Sequence, residues 1–291
     1  MASLKIFSYF DYLLKATYFI IFSKDVLAKK LLLLLKFYTL CIIRALVEIT
    51  HLQIFANYLM LLNYKLMFNE SISCEKEIYY INDYLSLLIL SPLYERKVFL
   101  HLNKEIMKLL RLKNKIVMID IGAHVGKYTI HFAKLFKSLK IIAIEPIPTN
   151  FIILWKNIKI NNIENVIPLK FACIDIDKEI QFHISLKSYA HSLAKRETSI
   201  SLMVKGRSLD SIVNEMQLES IDILKIDVEG AEPMVLRGGL NTIKKYKPII
   251  FIEISPSNYN LVARILKECN YNLTLIEDYN YIAQYSKLPH S

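Results

Sequence analysis

The sequence predicts an α/β fold built on a mostly parallel sheet, and three observations predict it. Apolar runs of strand length recur through the back half of the chain with amphipathic, helix-length stretches between them, the pattern of a sheet covered on both faces. Two of these runs end on an acid, Asp120 and Glu145, and a glycine-spaced loop follows the first. The residues that turn the chain are confined to that half: none of the six glycines precedes Gly122, and of the eight prolines only Pro92 does.

The front of the chain is helix-permissive and divides from the rest as residues 1–64. The opening MASLKIFSYFDYLLK does not read as a signal peptide, because Asp11 interrupts its apolar stretch and no small-residue cleavage site follows. From Val26 to Ile49 the segment is long enough to span a bilayer but carries Lys29, Lys30, Lys36, Arg44 and Glu48. At about 100° per residue these five charges fall within an arc of about 120°, so the helix is amphipathic. Spanning would bury Lys36 and Arg44 near mid-membrane at roughly 2.5–3.5 kcal/mol each. Packing on protein or lying at a membrane surface avoids that cost. Residues 49–64 read as a second, uncharged helix that is short for a span.

Residues 65–114 form a lead-in module, with two short β-prone pieces in KLMFNESISCEKEIYYIND and a helix starting near Ser91 with Pro92 at its first position. From residue 115 onward the α/β alternation begins. IVMIDIGAHVGKYTIHFAKLFKSLKIIAIEP is one β–loop–α–β unit whose first strand ends at Asp120, Gly122 and Gly126 and whose second is closed by Glu145. An acid at that distance from the glycine loop suits a residue gripping a ribose, which implies a nucleoside-bearing cofactor.

The glycine spacing narrows the choice. A dinucleotide loop needs G-x-G-x-x-G so that its second glycine lets the backbone approach a pyrophosphate. Here His124 stands at that point and the third glycine is missing, which argues against a nicotinamide dehydrogenase. The spacing D-x-G-x-x-x-G suits S-adenosylmethionine, a ligand without phosphates.

After Glu145, Pro148 opens a helix ending at Asn161–Asn162, and VIPLKFACI reads as a third strand ending near Asp175. EIQFHISL is a further β-prone piece, followed by a polar loop from Lys187 to Ser199. SIDILKIDVEGAEPMVLRGG is a fourth strand running through a loop into a helix with Pro233 near its start. PIIFIEI is a fifth strand ending at Glu253, Asn258 to Cys269 suits a helix, and YNLTLIED with YIAQYS suits a closing hairpin. Ligands of such a sheet sit at the carboxyl ends of its strands.

MIDIGAHVGKYT, AIEP, DILKIDVEGAEPMVLRGG and PIIFIEI together resemble the FkbM-type family of S-adenosylmethionine-dependent O-methyltransferases. The similarity covers roughly residues 88–285, with IDVEGAE its most specific part, and residues 1–65 have no counterpart in the family core. The resemblance implies a class I methyltransferase sheet of seven strands with the last antiparallel, methyl transfer to a hydroxyl, and an acceptor that is often a sugar or a polyketide-like natural product. His124 departs from the family, which commonly carries Asn there.

Transfer from a sulfonium needs alignment of nucleophile and methyl and removal of the hydroxyl proton. Asp227 and Glu229, after the fourth strand, and Glu253, at the end of the fifth, are the carboxylates expected around the transferring methyl, with Asp227 or Glu229 as base. Glu229 could equally cap the helix that follows. For the cofactor, Glu145 is expected at the ribose, Asp120 at the methionine end, His124 with Gly122 and Gly126 in the loop beneath it, and Ile174 with Asp175 beside the adenine. His183 and His191 are candidates for the acceptor pocket. The three carboxylates could hold a divalent cation, but no further Asn or His at an adjacent strand end supports a metal centre. Lys225, two residues before Asp227 in an apolar strand, must meet a carboxylate because an unpaired buried ammonium is too costly. Asp120 and Asp227 are the partners expected.

Composition bounds the partners. A net charge of +10 implies attraction to anionic surfaces. No stretch combines clustered Lys/Arg with interleaved aromatics, so nucleic acid is not expected. Cys41, Cys74, Cys173 and Cys269 are widely spread, which points to free thiols in a reducing compartment. The expectation is a cytoplasmic enzyme acting on a small-molecule or glycan acceptor, peripheral at the inner membrane surface if residues 1–64 bind there. The rival is a non-catalytic, membrane-tethered binding module on the same fold.

Overall fold

A computed structural model of the chain describes residues 17, 20, 21, 30, 31, 34, 35, 38, 70–74, 77–81, 90, 94–185 and 199–286. The chain divides into two units, residues 1–94 with 159–161 and residues 95–158 with 162–291. In the first unit the described positions between 17 and 38 are helical, and Lys30 Nζ donates to the Ile21 carbonyl at 2.9 Å. The two β-prone pieces form an antiparallel hairpin of β1 (Glu70–Cys74) and β2 (Glu77–Ile81), and the Asn161 side chain bonds both the N–H and the carbonyl of Ile78, at 2.9 and 2.6 Å. Most of the amphipathic helix read over 26–49, the helix over 49–64, Ser91 and Pro92 lie outside the described residues. Among the described residues no helix is long and apolar enough to cross a membrane.

The second unit begins with α1 (Arg96–Leu112) and then alternates: β3 (Ile116–Ile121), α2 (Lys127–Leu135), β4 (Leu139–Ile144), α3 (Pro148–Ile160) and β5 (Val166–Leu169). A smaller sheet follows, of β6 (Ala172–Ile174), β7 (Lys178–Ser185) and β8 (Ser199–Ser208). The chain then continues through α4 (Leu209–Glu215), β9 (Ile223–Ile226), α5 (Glu232–Gly238), α6 (Leu240–Tyr246), β10 (Ile249–Glu253), α7 (Tyr259–Glu268), β11 (Tyr271–Glu277) and β12 (Asn280–Tyr285).

Seven strands pair in the order β11-β12-β10-β9-β3-β4-β5, and β12, the last in sequence, runs antiparallel to both its neighbours while the rest of the sheet is parallel. The central strands IVMIDI, LKIIAI and ILKI are β-branched and buried on both faces, as a sheet covered by helices requires. Ile119, Ile121, Ile142, Ile144, Leu224, Ile226, Ile250 and Ile252 pack into one core with α4, α5, α6 and α7. Alternate residues, Met118 and Asp120 among them, turn to the other face. There Thr129 of α2 reaches Asp120, and Phe99 of α1 stacks on Phe132 of α2 at a centroid distance of 4.8 Å.

Two expectations need correction. VIPLKFACI is not one strand: β5 is the edge of the large sheet, and β6 belongs to the three-stranded sheet β6-β8-β7. Pro168 has no N–H to give a further neighbour, so β5 suits an edge and the chain leaves the sheet after Leu169. The second correction is the hairpin partner of β7, since residues 199–208 form β8, for which the sequence reading assigned no strand. Gly206 marks how tightly this sheet is built, because a Cβ there would lie 2.3 Å from Ile174 Cδ1. Helices α4 and α6 were also not anticipated, although Ser208 caps α4 by accepting from the Ser211 N–H at 3.1 Å.

The loop after β9 is held by Glu232, the first residue of α5, which is almost wholly buried. Its carboxylate accepts from the Gly230 N–H at 2.8 Å, from Ser255 Oγ at 3.0 Å and from Asn258 Nδ2 at 2.6 Å, tying that loop to the one after β10. Glu232→Ala should therefore destabilise the protein by about 2–4 kcal/mol in urea unfolding, because it strands three donors at once. An unchanged midpoint would mean that these donors find water without loss.

Candidate active site

Strand register builds the site. Asp120 of β3 lies opposite Lys225 of β9, and Lys225 lies opposite Phe251 of β10. With a side-chain period of two, Asp120, Lys225, Asp227 and Glu253 project to the same face at the carboxyl ends of adjacent strands. The loops behind them are closely joined. The Asp227 N–H donates to the Ile121 carbonyl at 2.9 Å, and a Cβ on Gly122 would fall 1.8 Å from the Asp227 carbonyl oxygen. Gly122 also has φ +85°, so glycine is required there on both counts.

Lys225 is 5% exposed and meets the two partners expected of it, Asp227 Oδ2 at 3.0 Å and Asp120 Oδ1 at 3.9 Å. Its ammonium also stands 4.5 Å from the centre of the Tyr128 ring. Burial opposes its charge, but Asp227, Asp120 and Glu95 together hold its pKa above the ordinary lysine value. Thr129 Oγ1 donates to Asp120 Oδ2 at 2.6 Å, and Tyr128 Oη donates to Glu95 Oε2 at 2.6 Å.

Glu95, Asp227 and Glu253 form a carboxyl cluster whose oxygens lie within 4.8 Å of one another. That spacing could accommodate a cation, and the Lys225 ammonium already supplies positive charge 3.0 Å from Asp227. Three such groups cannot all ionise beside one ammonium. Burial pushes Asp227 up, but Lys225 and a hydrogen bond with Glu253 outweigh it and hold its pKa below the usual carboxylate range. The Asp227 charge, with burial and Glu95 adding to it, pushes Glu253 up to about 10. Burial and then Asp227 also raise Glu95. The arrangement at neutral pH is an ionised Asp227 beside a protonated Glu253.

One strand over, Glu145 is buried just past β4. Its Oε2 accepts from the His124 N–H at 2.9 Å and its Oε1 from the Ile147 N–H at 3.0 Å. Burial raises its pKa to about 7 against the pull of these bonds. His124 itself takes a left-handed backbone, φ +51°, inside the loop that Gly126 ends at φ +96°. Ile174 belongs to one apolar cluster with Ile147, two residues after Glu145, which sets β6 beside the end of β4. Among the buried side-chain oxygens that take no hydrogen bond are two near this edge, Asp120 Oδ1 and Asp175 Oδ1.

A family model described as the methyltransferase FkbM domain matches residues 120–273, more than half of the chain. The chain belongs to the methyltransferase FkbM family. Its sheet order and single antiparallel strand are those expected of a class I methyltransferase. Among curated relatives, a tRNA(Phe) (4-demethylwyosine(37)-C(7)) aminocarboxypropyltransferase of Methanocaldococcus jannaschii is 28% identical over 137 residues, 45% of this chain and 55% of the relative. A hexuronic acid methyltransferase of Haloferax volcanii is 28% identical over 134 residues, 46% of this chain and 54% of the relative. The chain thus spans a little over half the length of the curated relatives it matches. The crystal structure of a methyltransferase FkbM from Methylobacillus flagellatus KT is similar with a TM-score of 0.44 and 17% identity, covering 59% of this chain and 44% of that one.

The structure of this FkbM-family chain brings Asp120, Gly122, Lys225, Asp227 and Glu253 together and sets Glu145 and His124 one strand away. Glu229 is exposed, with φ +49°; the N-cap of α5 is Ala231, and the acid in the first turn of that helix is Glu232. His183 lies in β7 and His191 lies outside the described residues. Glu95 was missed. It precedes α1 in a left-handed turn, φ +50°, whereas the sequence reads as a helix already under way from Ser91. That expectation is corrected: α1 begins at Arg96, and the turn at Tyr94 and Glu95 is what frees the carboxyl to reach the cluster.

The charge pattern has a consequence for stability. A Glu253 titrating at about 10 in the folded state and near 4.5 in the unfolded one makes the native protein bind the extra proton between those values. Stability is then fully present at low pH and falls as pH rises through that window, by about 1.4 kcal/mol per pH unit for one proton. Glu253→Gln should flatten this slope and leave the variant more stable than the parent above pH 7 in urea titrations at pH 5, 7 and 9. Parallel curves for the two proteins would place the proton elsewhere.

Proposed function

We propose that this chain is an S-adenosylmethionine-dependent O-methyltransferase acting on a hydroxyl of a sugar, glycan, glycolipid or related natural product. The observation that carries the reading is the carboxyl cluster at the carboxyl edge of the sheet, beside the turn at Gly122, where oxygens of Glu95, Asp227 and Glu253 lie within 4.8 Å of one another. The Lys225 ammonium stands 3.0 Å from Asp227, an arrangement that lowers the pKa of Asp227 and raises that of Glu253. Two titratable groups whose pKa values are driven apart are the mark of an acid–base pair. The hexuronic acid methyltransferase among the relatives supports a carbohydrate as acceptor.

The residues present fit the cofactor. Asp120 Oδ1 and Asp175 Oδ1 are buried acceptors suited to a ligand rich in N–H and O–H donors, and Gly122 leaves backbone rather than side chain beneath it. Glu145 has lone pairs beyond those used by His124 and Ile147 and would accept from ribose hydroxyls, while Ile174 gives the neighbouring apolar wall. S-adenosylmethionine, when bound, supplies a methyl group on a sulfonium that needs no further activation. Asp227, kept ionised by Lys225, would take the proton of the acceptor hydroxyl. Glu253 would donate a hydrogen bond to a neighbouring acceptor oxygen, and the exposed Glu229 would border the approach.

Two measurements test this. Glu145→Ala should weaken S-adenosylmethionine binding by about 1.5–3 kcal/mol in calorimetry, the range for charge-assisted bonds. Because free Glu145 titrates at about 7 and the ribose favours its ionised form, parental affinity should rise as pH rises toward 7, up to tenfold per unit, and Glu145→Gln should remove that dependence. Equal affinity in both proteins at every pH would take Glu145 out of the cofactor site.

Asp227→Asn should keep cofactor affinity within a few-fold and lower methyl transfer into extracted glycans and lipids about 10²–10⁴-fold, followed by mass spectrometry with isotope-labelled cofactor. S-adenosylhomocysteine should be the co-product. Methylthioadenosine would instead indicate transfer of the aminocarboxypropyl group, and cofactor binding without any product would favour a binding module.

A further inference from the structure

We propose that the amino-terminal edge of the seven-stranded sheet, opposite the candidate active site, is a docking surface for an anionic lipid bilayer. Backbone bonds trace this edge without a break. The Ile249 N–H donates to the Asp222 carbonyl at 2.9 Å, the Asp222 N–H to the Val117 carbonyl at 2.9 Å, and the Ile116 N–H to the Ser138 carbonyl at 3.1 Å. Exposed lysines flank that line: Lys247 before β10, Lys113 and Lys115 before β3, Lys137 and Lys140 at the start of β4. From β10 to β4 is three strand spacings, so these cations share a strip about 15 Å long. Arg111 at the end of α1 and Lys244 and Lys245 at the end of α6 extend it. Of the acids at this edge, Asp222 is buried and bonded to Lys113 and to the Val117 N–H, and Glu215 at the end of α4 is paired with Arg207. That leaves Glu164, Glu219 and, at the end of α7, Glu268 exposed among the more numerous lysines.

The preference of cations for helix C-termini accounts for Arg111, Lys244 and Lys245. It does not account for Lys115, Lys137 and Lys140, which lie beyond the helices. Nor does it account for two leucines. Leu112 and Leu135, the last residues of α1 and α2, are 76% and 49% exposed, Leu112 between Arg111 and Lys113 and Leu135 between Lys134 and Lys137. Aliphatic side chains projecting among lysines match a bilayer, whose phosphates take the cations and whose acyl boundary takes the leucines. Nucleic acid would reward exposed rings that stack on bases, and the large side chains exposed on this strip are leucines. Docking here would hold the carboxyl edge about 20 Å from the membrane, the length of six-residue β3, so the acceptor group would stand clear of the headgroups. The inference is independent of the reaction assigned above.

The test uses the full chain and vesicles of phosphatidylcholine with about 30% phosphatidylserine, against phosphatidylcholine alone. Replacing Lys115, Lys137 and Lys140 together with Gln should weaken sedimentation with the anionic vesicles about fivefold per lysine, on the order of 100-fold in all. The matched triple Lys170, Lys178 and Lys205 to Gln, on the smaller sheet and its approach, removes the same charge and should stay within about threefold of the parent. Leu112→Gln with Leu135→Gln should weaken binding about tenfold on its own. Equal losses in the two lysine triples would reduce the effect to net charge and overturn the proposal. So would unaltered binding in the first triple, which would leave the membrane contact to residues 1–64, or no binding by the parent. Tighter binding of the parent to a single-stranded RNA oligonucleotide than to vesicles, lost in the first triple, would assign the strip to nucleic acid instead.

Discussion

The buried ammonium of Lys225 is the constraint from which the rest of the site follows. A lysine in the middle strand of a sheet, closed off by α2, stays charged only if anions surround it. Asp120 and Asp227 meet that demand from the strand beside it and from the loop after it. Meeting it fixes where both loops run. Asp227 must turn back toward β3, which brings its carbonyl against Gly122, and only a residue without a side chain can stand there. The glycine that appears in the sequence as part of a cofactor loop is thus also the space into which the neighbouring loop folds.

One cation cannot neutralise four carboxyl groups, and the surplus is what gives the site its chemistry. Lys225 keeps Asp227 ionised, the Asp227 charge then keeps Glu253 protonated, and Glu95 is raised by the same field. Glu145 stands apart from this cluster, and its elevation comes from burial, moderated by two backbone N–H groups. The two sets of carboxyls therefore titrate for different reasons, one through mutual repulsion and one through desolvation. A change at Asp227 should be felt at Glu253 well before it is felt at Glu145.

Much of this was legible in the sequence because a buried strand shows its register in its composition. The runs around Asp120, Glu145, Asp227 and Glu253 are apolar on both sides, so each acid had to lie at a strand end, and the parallel alternation then placed the ends together. Lys225 was readable for the same reason, as a charge that its strand could not leave unpaired. The failures have equally local causes. VIPLKFACI is continuous in hydrophobicity, and the break between β5 and β6 is set by which sheet each half pairs with, a long-range choice. Residues 199–208 carry Lys205, Gly206 and Arg207 in a half-exposed strand, which blurred the alternation. Glu95 joins the cluster through the path of α1 across the sheet, and nothing within a few residues of it records that path.

The unequal ends of the sheet share one cause and then exceed it. Parallel strands with returning helices point helix N-termini toward the carboxyl edge and C-termini toward the amino edge, so acids at the first and lysines at the second both suit the helix dipoles. Arg111 at the end of α1 needs no other explanation, and Glu232 at the start of α5 adds to the dipole its hydrogen bonds to Gly230, Ser255 and Asn258. The dipole acts only over the last turn of a helix and favours charge alone. Lys115, Lys137 and Lys140 lie past that reach, and a leucine gains nothing from a dipole. What remains after the fold's own electrostatics are accounted for is a basic strip with Leu112 and Leu135 set in it, the chemistry of a surface that meets both phosphate and hydrocarbon.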